Sequence, residues 1–578
     1  MVSASPVPAD VVAPPRPAAS RWRRWWARYW VWASAAVAAG VVVRVHHWWT
    51  AGSLNSDELW IALNLRRRSY PELAGPLDYD QLAPLGWLWL EKSLLAVGHG
   101  DRLLRAPSLV AGCATLVLVA LLARRLLPGP PAVAAVVLCA GAPQLIYQSA
   151  QVKQYAVEAS AALLLLFLAV RAATRPGRRA VAGFWLTAAV AAWFATTAVF
   201  VALSAGALLV LFALRDRHRS VLLAHGLAAA PVLGSFAGVY ALAPPPADWL
   251  HAWWSSKYPG SLAPPDLDPL GALVWSAEAV NRFVYSALHA QPAPARAAVV
   301  VLLALGVAGL VARAPRPALL VCAPLACGYL LALLRLYPLA TRVALWLVPP
   351  ALLLVCAAIG PAAGALSRVL ARIRPASGAP RLPVRPPAGG RAAPPAPAGP
   401  APIAGHAGSG DERGALPWPR VLATGLLVLA AAPWWGGVPR DTNADRYATA
   451  AAAVRYVAAH RHPGDRVLVH HAKASAALVA WYGPGAGLRP EAHYAVAHGP
   501  RCREAAARVG LGAGPVWLLR LDWEPRRRTS QVPERAAMSA VGRLADERWF
   551  GRVVVLRYAT GPAEPTRPST CLVHAPAE

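Results

Sequence analysis

The sequence predicts a polytopic α-helical membrane protein of about 11 transmembrane helices, with helices lying at the outer surface and a small extracytoplasmic α/β domain at its C-terminal end. Three observations predict it. Apolar runs of near-spanning length recur from residue 29 to residue 434. Cations gather in every second short loop between them. Past residue 436 the pattern changes to short β-branched runs that alternate with helical ones.

Bulk composition agrees. The 578 residues are 57% hydrophobic, with a mean hydropathy of +0.40, well beyond what a soluble chain of this length carries. The formal charge is +29. A nucleic-acid groove would collect that charge on one face, whereas here it sits in short clusters between apolar runs, so no nucleic acid is expected as a partner. Five cysteines (Cys113, Cys139, Cys322, Cys327, Cys356) lie in apolar runs and read as small core residues. Cys502 and Cys571 lie in the C-terminal part and can pair if it faces an oxidising space. No CxxC or His/Cys zinc spacing occurs.

Residues 1–28 read as a disordered Pro/Ala cytoplasmic tail, followed by a first helix held at the membrane by "RWRRWWAR" rather than by a cleaved signal. Runs lie near 29–45, 105–123, 131–147, 156–170, 181–195, 197–214, 221–242, 296–313, 317–336, 343–360 and 419–434. With one crossing each, "ARRLLPG", "RAATRPGRR", "RDRHR", "ARAPR" and "SRVLARIR" all fall on the side of the N-terminal Arg cluster, the cytoplasmic side. The expected setting is a bacterial cytoplasmic membrane, N-terminus inside. "LGWLWLEKSLLAV" (85–97) is short and broken by Glu91 and Lys92; a span there would flip every later loop, so it reads as an outer surface helix. Asn55–Arg68 reads as another, capped by Asn55 or Ser56. Residues 29–360 form the expected transmembrane domain, 361–418 a disordered Pro/Gly/Arg-rich linker, 419–435 the last span and 436–578 the α/β domain. Within that domain "RVLVHH", "PVWLLRL" and "RVVVLRY" read as strands, and 445–460 and 535–547 as helices.

Acidic residues are scarce, yet "LNSDELW" and "PLDYDQLAPLGW" place four of them just past the first span. On this topology Asp57, Glu58, Asp78, Asp80, Lys153, Tyr155, Glu158, Lys257, Tyr258, Tyr337 and Arg342 all lie at outer span ends. Charges in the membrane zone cost roughly 2.5–3.5 kcal/mol each near a helix centre unless they pair or line a polar cavity. An outward cavity holding both carboxylates and cations suits a reaction at a phosphate. Bland readings stand beside this one. Asp57 and Glu58 can simply begin a helix, Arg342 can snorkel, and Trp249, Trp253 and Trp254 can form an aromatic belt.

"SDELWIALN", "PLDYDQLAPLGWLWLEKSLL", "RLLRAPSLVAG", "QVKQYAVEASAALLLL" and "LYPLATRVALWLVPPALLL", in that order over residues 29–360, resemble bacterial GT-C membrane glycosyltransferases of the family-39-like group. That group includes protein O-mannosyltransferases and the lipid A aminoarabinose transferase. The resemblance implies a GT-C-like fold and an inverting transfer of mannose or a pentose. The donor is a polyprenyl-phosphate-linked sugar, the acceptor a hydroxyl of a glycan, lipid or protein, and the site faces the outer leaflet among membrane lipid. It maps the catalytic acidic pair onto Asp57 and Glu58, and a metal- or phosphate-linked acid onto Asp80. Several relatives follow that acid with Lys-Pro, whereas this chain has Gln81-Leu82-Ala83-Pro84. Lys153 and Arg342, with Gln81 and Tyr155, are then the expected phosphate-binding set. Glu158, Tyr258 and Tyr337 are the expected substrate contacts, and a divalent metal ion at Asp80 is the one cofactor admitted. A lipid-phosphate transporter without chemistry and an inactive envelope scaffold are the alternatives, although no internal repeat favours the former.

Overall fold

In the computed structural model, residues 29–242, 248–266, 268–362, 425, 449–502, 509, 514–521, 533–539, 542–560 and 570–575 are described. The expected N-terminal tail, the linker beyond residue 362 and the last span (Gly425 apart) lie outside them. The first helices are α1 (Tyr29–Thr50), α2 (Ser56–Arg67), α3 (Leu85–Val97), α4 (Asp101–Leu104) and α5 (Ala106–Leu126). They are followed by α6 (Pro130–Gly141), α7 (Pro143–Gln148), α8 (Tyr155–Thr174), α9 (Arg178–Ala191), α10 (Thr197–Arg215) and α11 (Arg219–Leu242). Next come α12 (Asp248–Lys257), α13 (Pro269–Ser286), α14 (Ala293–Arg313), α15 (Pro315–Leu333) and α16 (Val348–Ala357), the last entered through a 3₁₀ turn, Thr341–Leu347.

Among the described residues, eight helices are long and apolar enough to cross a membrane: α1, α5, α8, α10, α11, α14, α15 and the Thr341–Ala362 unit. The protein is therefore mostly helical and multi-pass. Two expected spans are shorter. The 131–147 run breaks into α6 and α7 because Pro143 offers no amide to continue the helix. Carbonyls freed at the break, those of Cys139 and Ala140, accept from the buried Arg44 guanidinium at 3.0 and 3.1 Å. The 181–195 run keeps only 14 helical residues as α9. Small residues let the helices close. A Cβ on Gly306 would overlap the Leu354 carbonyl oxygen, so α14 and α16 touch backbone to backbone there.

Four of the five Arg-rich loops meet at one end of the bundle. Arg316 holds Asp216 at 2.5 Å, and one small cavity is lined jointly by Pro176, Asp216, His218 and Arg316. Another is lined by Leu127, Arg313 and Gly360. The acidic loops lie at the other end: Gly86 on α3 donates to the Trp193 carbonyl beyond α9 at 2.8 Å, and Thr341 meets Ser286. Surface helices 56–67 and 85–97 form as the sequence predicts. Helices α12 and α13 are additional to that reading; Glu278, Asn281 and Arg282 interrupt the apolar pattern of α13.

The C-terminal unit adds α17 (Ala450–His460), α18 (Lys473–Tyr482) and α19 (Pro533–Met538) to one six-stranded sheet. Its strands are β1 (Arg466–His470), β2 (Ala492–His498), β3 (Gly514–Leu521), β4 (Gly542–Phe550), β5 (Val553–Thr560) and β6 (Thr570–His574). The order is β4-β5-β3-β1-β2-β6, with β1 parallel to β2 and β3, and antiparallel strands at both edges. The helix expected over 535–547 is a correction: it stops at Met538, and 542–550 pairs with β5, since a strand beside "VVVLRYAT" saturates its backbone along a whole edge. Cys502 and Cys571 are joined as a disulfide.

One face of this sheet, covered by α17 and α18, shares its apolar core with the outer helices. Leu54, Leu59, Ile61, Trp87 and Leu88 pack in one cluster with Val454, Leu478, Val479, Trp481 and Val555. The α/β unit therefore sits directly on the segment that carries the acidic residues.

Candidate functional site

The site begins with how α2 starts. Asn55 caps it: its side chain accepts from the Glu58 amide at 3.1 Å, and the Glu58 carboxylate accepts from the Asn55 amide at 2.9 Å. This reciprocal pair satisfies two amides that the first helical turn leaves open. It also points Glu58 inward, where it is wholly buried. Arg105 meets it with two parallel contacts, Nε to Oε1 at 2.9 Å and Nη2 to Oε2 at 2.8 Å. The Val152 amide donates to Oε1 at 2.8 Å, and the Asn55 side-chain Nδ2 donates to Gln151 Oε1 at 2.6 Å. Glu58 is thus a hub joining α2, the start of α5 and the turn 149–154. That turn can approach because residue 112 lacks a Cβ, which would stand 2.5 Å from Ser149.

One helical step of about 100° turns the neighbouring Asp57 to a different face. Its Oδ2 accepts from Arg342 Nη1 at 2.5 Å, across 285 residues of sequence. Burial pushes the Asp57 carboxyl up, but Arg342, Lys153 and Lys257 together outweigh burial and hold it below the usual carboxylate range. Arg342 also lies 5.7 Å from the Tyr155 ring centre. Lys153 is buried and donates to Gln81 Oε1 at 2.6 Å. Burial lowers its ammonium to about 8, with Arg342 acting in the same sense and Asp57 against it.

Two strained turns deliver these groups. Tyr79 and Asp80 both have positive φ, 61° and 55°, each costing on the order of 1–3 kcal/mol. Asn64 holds that turn by a two-way exchange with Asp78, at 2.9 and 3.1 Å, and Trp60 stacks on Tyr79. The turn is what carries Gln81 to Lys153. Thr341 has φ 35°, unusual for a β-branched residue, and immediately precedes Arg342.

The structure thus brings together Asp57, Arg342, Lys153, Gln81 and Tyr155, with Tyr258 close enough to interact electrostatically with Arg342 and Tyr155. Glu158 is buried one turn along α8 from Tyr155, where it interacts electrostatically with Tyr155 and Tyr337. Tyr337 donates to the Val343 carbonyl at 3.3 Å and packs on Phe200 and Trp254. Two expectations need correction. Glu58 does not face this group; its oxygens are filled by Arg105, Asn55 and Val152, which leaves no access for a reactant. Asp80 points away to Lys473 of α18 at 4.0 Å. Among the described residues, no three His, Cys, Asp or Glu side chains converge as a metal-holding group. The charge nearest Asp80 is the Lys473 ammonium. Arg105 is the residue that the sequence reading missed. Its signal was a lone Arg at the mouth of an apolar run, which requires a carboxylate partner.

Residues 83–240, from the outer loop through α11, match the family model for dolichyl-phosphate-mannose-protein mannosyltransferases. The chain resembles the GT-C membrane glycosyltransferases. The match takes in Lys153, Tyr155, Glu158 and Arg105, whereas Asp57 and Arg342 fall on either side of it. No curated protein sequence matches the chain. Among solved structures, ArnT from Cupriavidus metallidurans in the apo state is similar at 12% identity, covering 94% of this chain and 100% of that one, with a TM-score of 0.48. ArnT bound to undecaprenyl phosphate gives 15%, 92%, 99% and 0.45. The archaeal oligosaccharyltransferase AglB from Archaeoglobus fulgidus gives 12%, 82%, 65% and 0.43. TM-scores below 0.5 are too low a likeness to carry functional weight.

Proposed function

We propose that this GT-C-like chain is a glycosyltransferase that moves a sugar from a polyprenyl-phosphate donor to an acceptor hydroxyl at the outer face of a bacterial cytoplasmic membrane. The observation that carries the reading is the Asp57–Arg342 pair, one carboxylate and one guanidinium meeting beside Lys153 at the end of the bundle away from the Arg-rich loops. The mannosyl-lipid description of the matching family supports the donor class. The disulfide and the basic loops at the opposite end support an outer location for the site and the α/β domain.

The chemistry follows from the charges. A lipid phosphate is a good leaving group, so the site must position an acceptor hydroxyl, take its proton and stabilise charge growing on the phosphate. The acceptor oxygen attacks the anomeric carbon as the bond from that carbon to the phosphate oxygen breaks. The electron pair leaves with the phosphate, the proton passes to Asp57, and in-line attack inverts the centre. Arg342 and Lys153 receive the phosphate charge, and Gln81 orients Lys153. The resting ion pair gates the base. While Arg342 binds Asp57, the carboxylate is a poor proton acceptor. A phosphate that draws Arg342 away removes the largest charge lowering it and makes Asp57 more basic. Donor therefore binds before the base is ready. The family description supports mannose as the sugar, and a pentose is the alternative.

The test is direct. Purified protein given polyprenyl-phosphate mannose and, separately, a polyprenyl-phosphate pentose should release free lipid phosphate in an acceptor-dependent manner. Binding of either donor with no release under any acceptor would favour a transporter instead.

A further inference from the structure

The turn carrying Asp57 is held from two sides, and one side belongs to the C-terminal α/β unit. Arg105 holds it from the bundle, donating to the Gly52 carbonyl at 2.7 Å and the Ser53 carbonyl at 3.3 Å while it grips Glu58. From the other side, Tyr482 at the end of α18 accepts from the Leu54 amide at 2.8 Å and donates to Asp101 Oδ2 at 2.6 Å. Trp481 donates to the other Asp101 oxygen at 3.2 Å. The Ala451 amide donates to Ser53 Oγ at 3.0 Å. Arg66 of α2 lies 3.7 Å over the Trp481 ring and donates to its carbonyl at 2.9 Å.

These contacts close a ring: Leu54, Tyr482, Asp101, then four residues of chain to Arg105, Glu58, and back along α2 to Leu54. Leu54 is wholly buried and its amide precedes the helix cap, so no helical carbonyl can receive it. A hydroxyl can accept from that amide and donate to Asp101 at the same time; a phenyl ring can do neither. We propose that Tyr482 of the α/β domain is a positioning residue for the site, fixing the Asp57 turn so that transfer requires the C-terminal domain to be docked. This rests on the reading of Asp57 as the proton acceptor. The domain then does more than cap the bundle, because its docked state and the aim of the base are one equilibrium.

The experiment uses the full chain in detergent or nanodiscs and compares Tyr482→Phe, Asp101→Ala and Asp101→Asn with wild type. Two readouts are taken: amide hydrogen exchange over residues 52–58, and kcat and KM with polyprenyl-phosphate mannose. Tyr482→Phe and Asp101→Ala should speed exchange at 52–58 at least tenfold. They should lower kcat about 10–100-fold and leave donor KM within about twofold. Asp101→Asn, which keeps an acceptor for Tyr482, should recover most of both. Unchanged exchange at 52–58 in Tyr482→Phe overturns the proposal whatever the activity, as does faster exchange with unaltered kcat. A fall in kcat accompanied by faster exchange throughout the bundle also overturns it, since the role is then general stability. Full activity in Asp57→Asn would instead sink the catalytic reading, and the exchange result stands independently of it.

Discussion

Adjacent carboxylates on one helix, each with an arginine, have opposite surroundings here. The Glu58–Arg105 pair is sealed, its side chains 1% and 3% exposed. The Asp57–Arg342 pair is open, at 21% and 30%. Glu58 has every lone pair directed at a protein donor, whereas Asp57 has one strong partner and room for another. The sealed pair shows what a buried ion pair needs in order to be tolerated: forked geometry and further hydrogen bonds on both members. The open pair lacks that saturation, which is what a group meant to exchange partners requires. One helical step separates a fully hydrogen-bonded, sealed acid from a partly open one.

The comparison breaks most visibly at the sealed pair. Glu58→Gln leaves the Arg105 charge buried without its counter-ion, and loss of one partner from such a pair costs about 3–5 kcal/mol. The expected outcome is a large drop in the thermal unfolding midpoint in detergent, with activity lost because folded protein is lost. Replacing both members together by Met should be less damaging than either single change, and a double-mutant cycle reads the coupling. Equal midpoints for Glu58→Gln and wild type would show that the pair is not holding the turn.

Asp57→Asn is the opposite case. The side chain keeps its shape and a hydrogen bond to Arg342 but cannot take a proton. Turnover should fall by about 10²–10⁴, with the unfolding midpoint within a few degrees of wild type and lipid-phosphate binding retained. Near-wild-type turnover would remove the base from Asp57.

This contrast also shows where the sequence was readable. Spans, basic loops and the surface helices 56–67 and 85–97 are written in local composition, because burial in lipid and the cost of stranded charge act on each segment alone. Asp57 and Arg342 were legible for the same reason: charge at the end of an apolar run needs a purpose. Which of the two adjacent carboxylates stays open was not. That Glu58 is consumed by Arg105 depends on the turn 149–154 arriving beside it, and the contact of Tyr482 with Asp101 spans 381 residues. The strand Gly542–Phe550 was read as the end of a helix because its edge position tolerates the charged run Asp546, Glu547 and Arg548, which breaks strand alternation, and only its partner β5 decides the matter.

Arg342 sharpens the open side. Arg342→Ala should cost about 10²–10³ in kcat through lost stabilisation of the leaving phosphate, and should weaken donor binding more than acceptor binding. Arg342→Lys keeps the charge but not the fork, so it should recover donor affinity better than turnover. Equal losses for donor and acceptor in the Ala variant would count against contact with the phosphate.

The smallest effect is set by pH, and it separates the site from the fold. Lys153 is held at about 8 by burial first and Arg342 second, against about 10.4 for a free lysine. Above pH 8 the folded protein loses this ammonium, so donor kcat/KM should fall with rising pH, approaching about tenfold per pH unit once the neutral form dominates. Stability moves the other way for this group. Between its folded value and that of an unfolded lysine the unfolded chain binds more protons, so unfolding becomes less favourable as pH rises through that window. Lys153→Met should flatten the alkaline limb of the rate profile while leaving that protein less active at pH 7. A wild-type profile that stays level from pH 7.5 to 9.5, measured by lipid-phosphate release at saturating acceptor, would mean that the ammonium does not meet the donor, and would leave Arg342 as the cation that does.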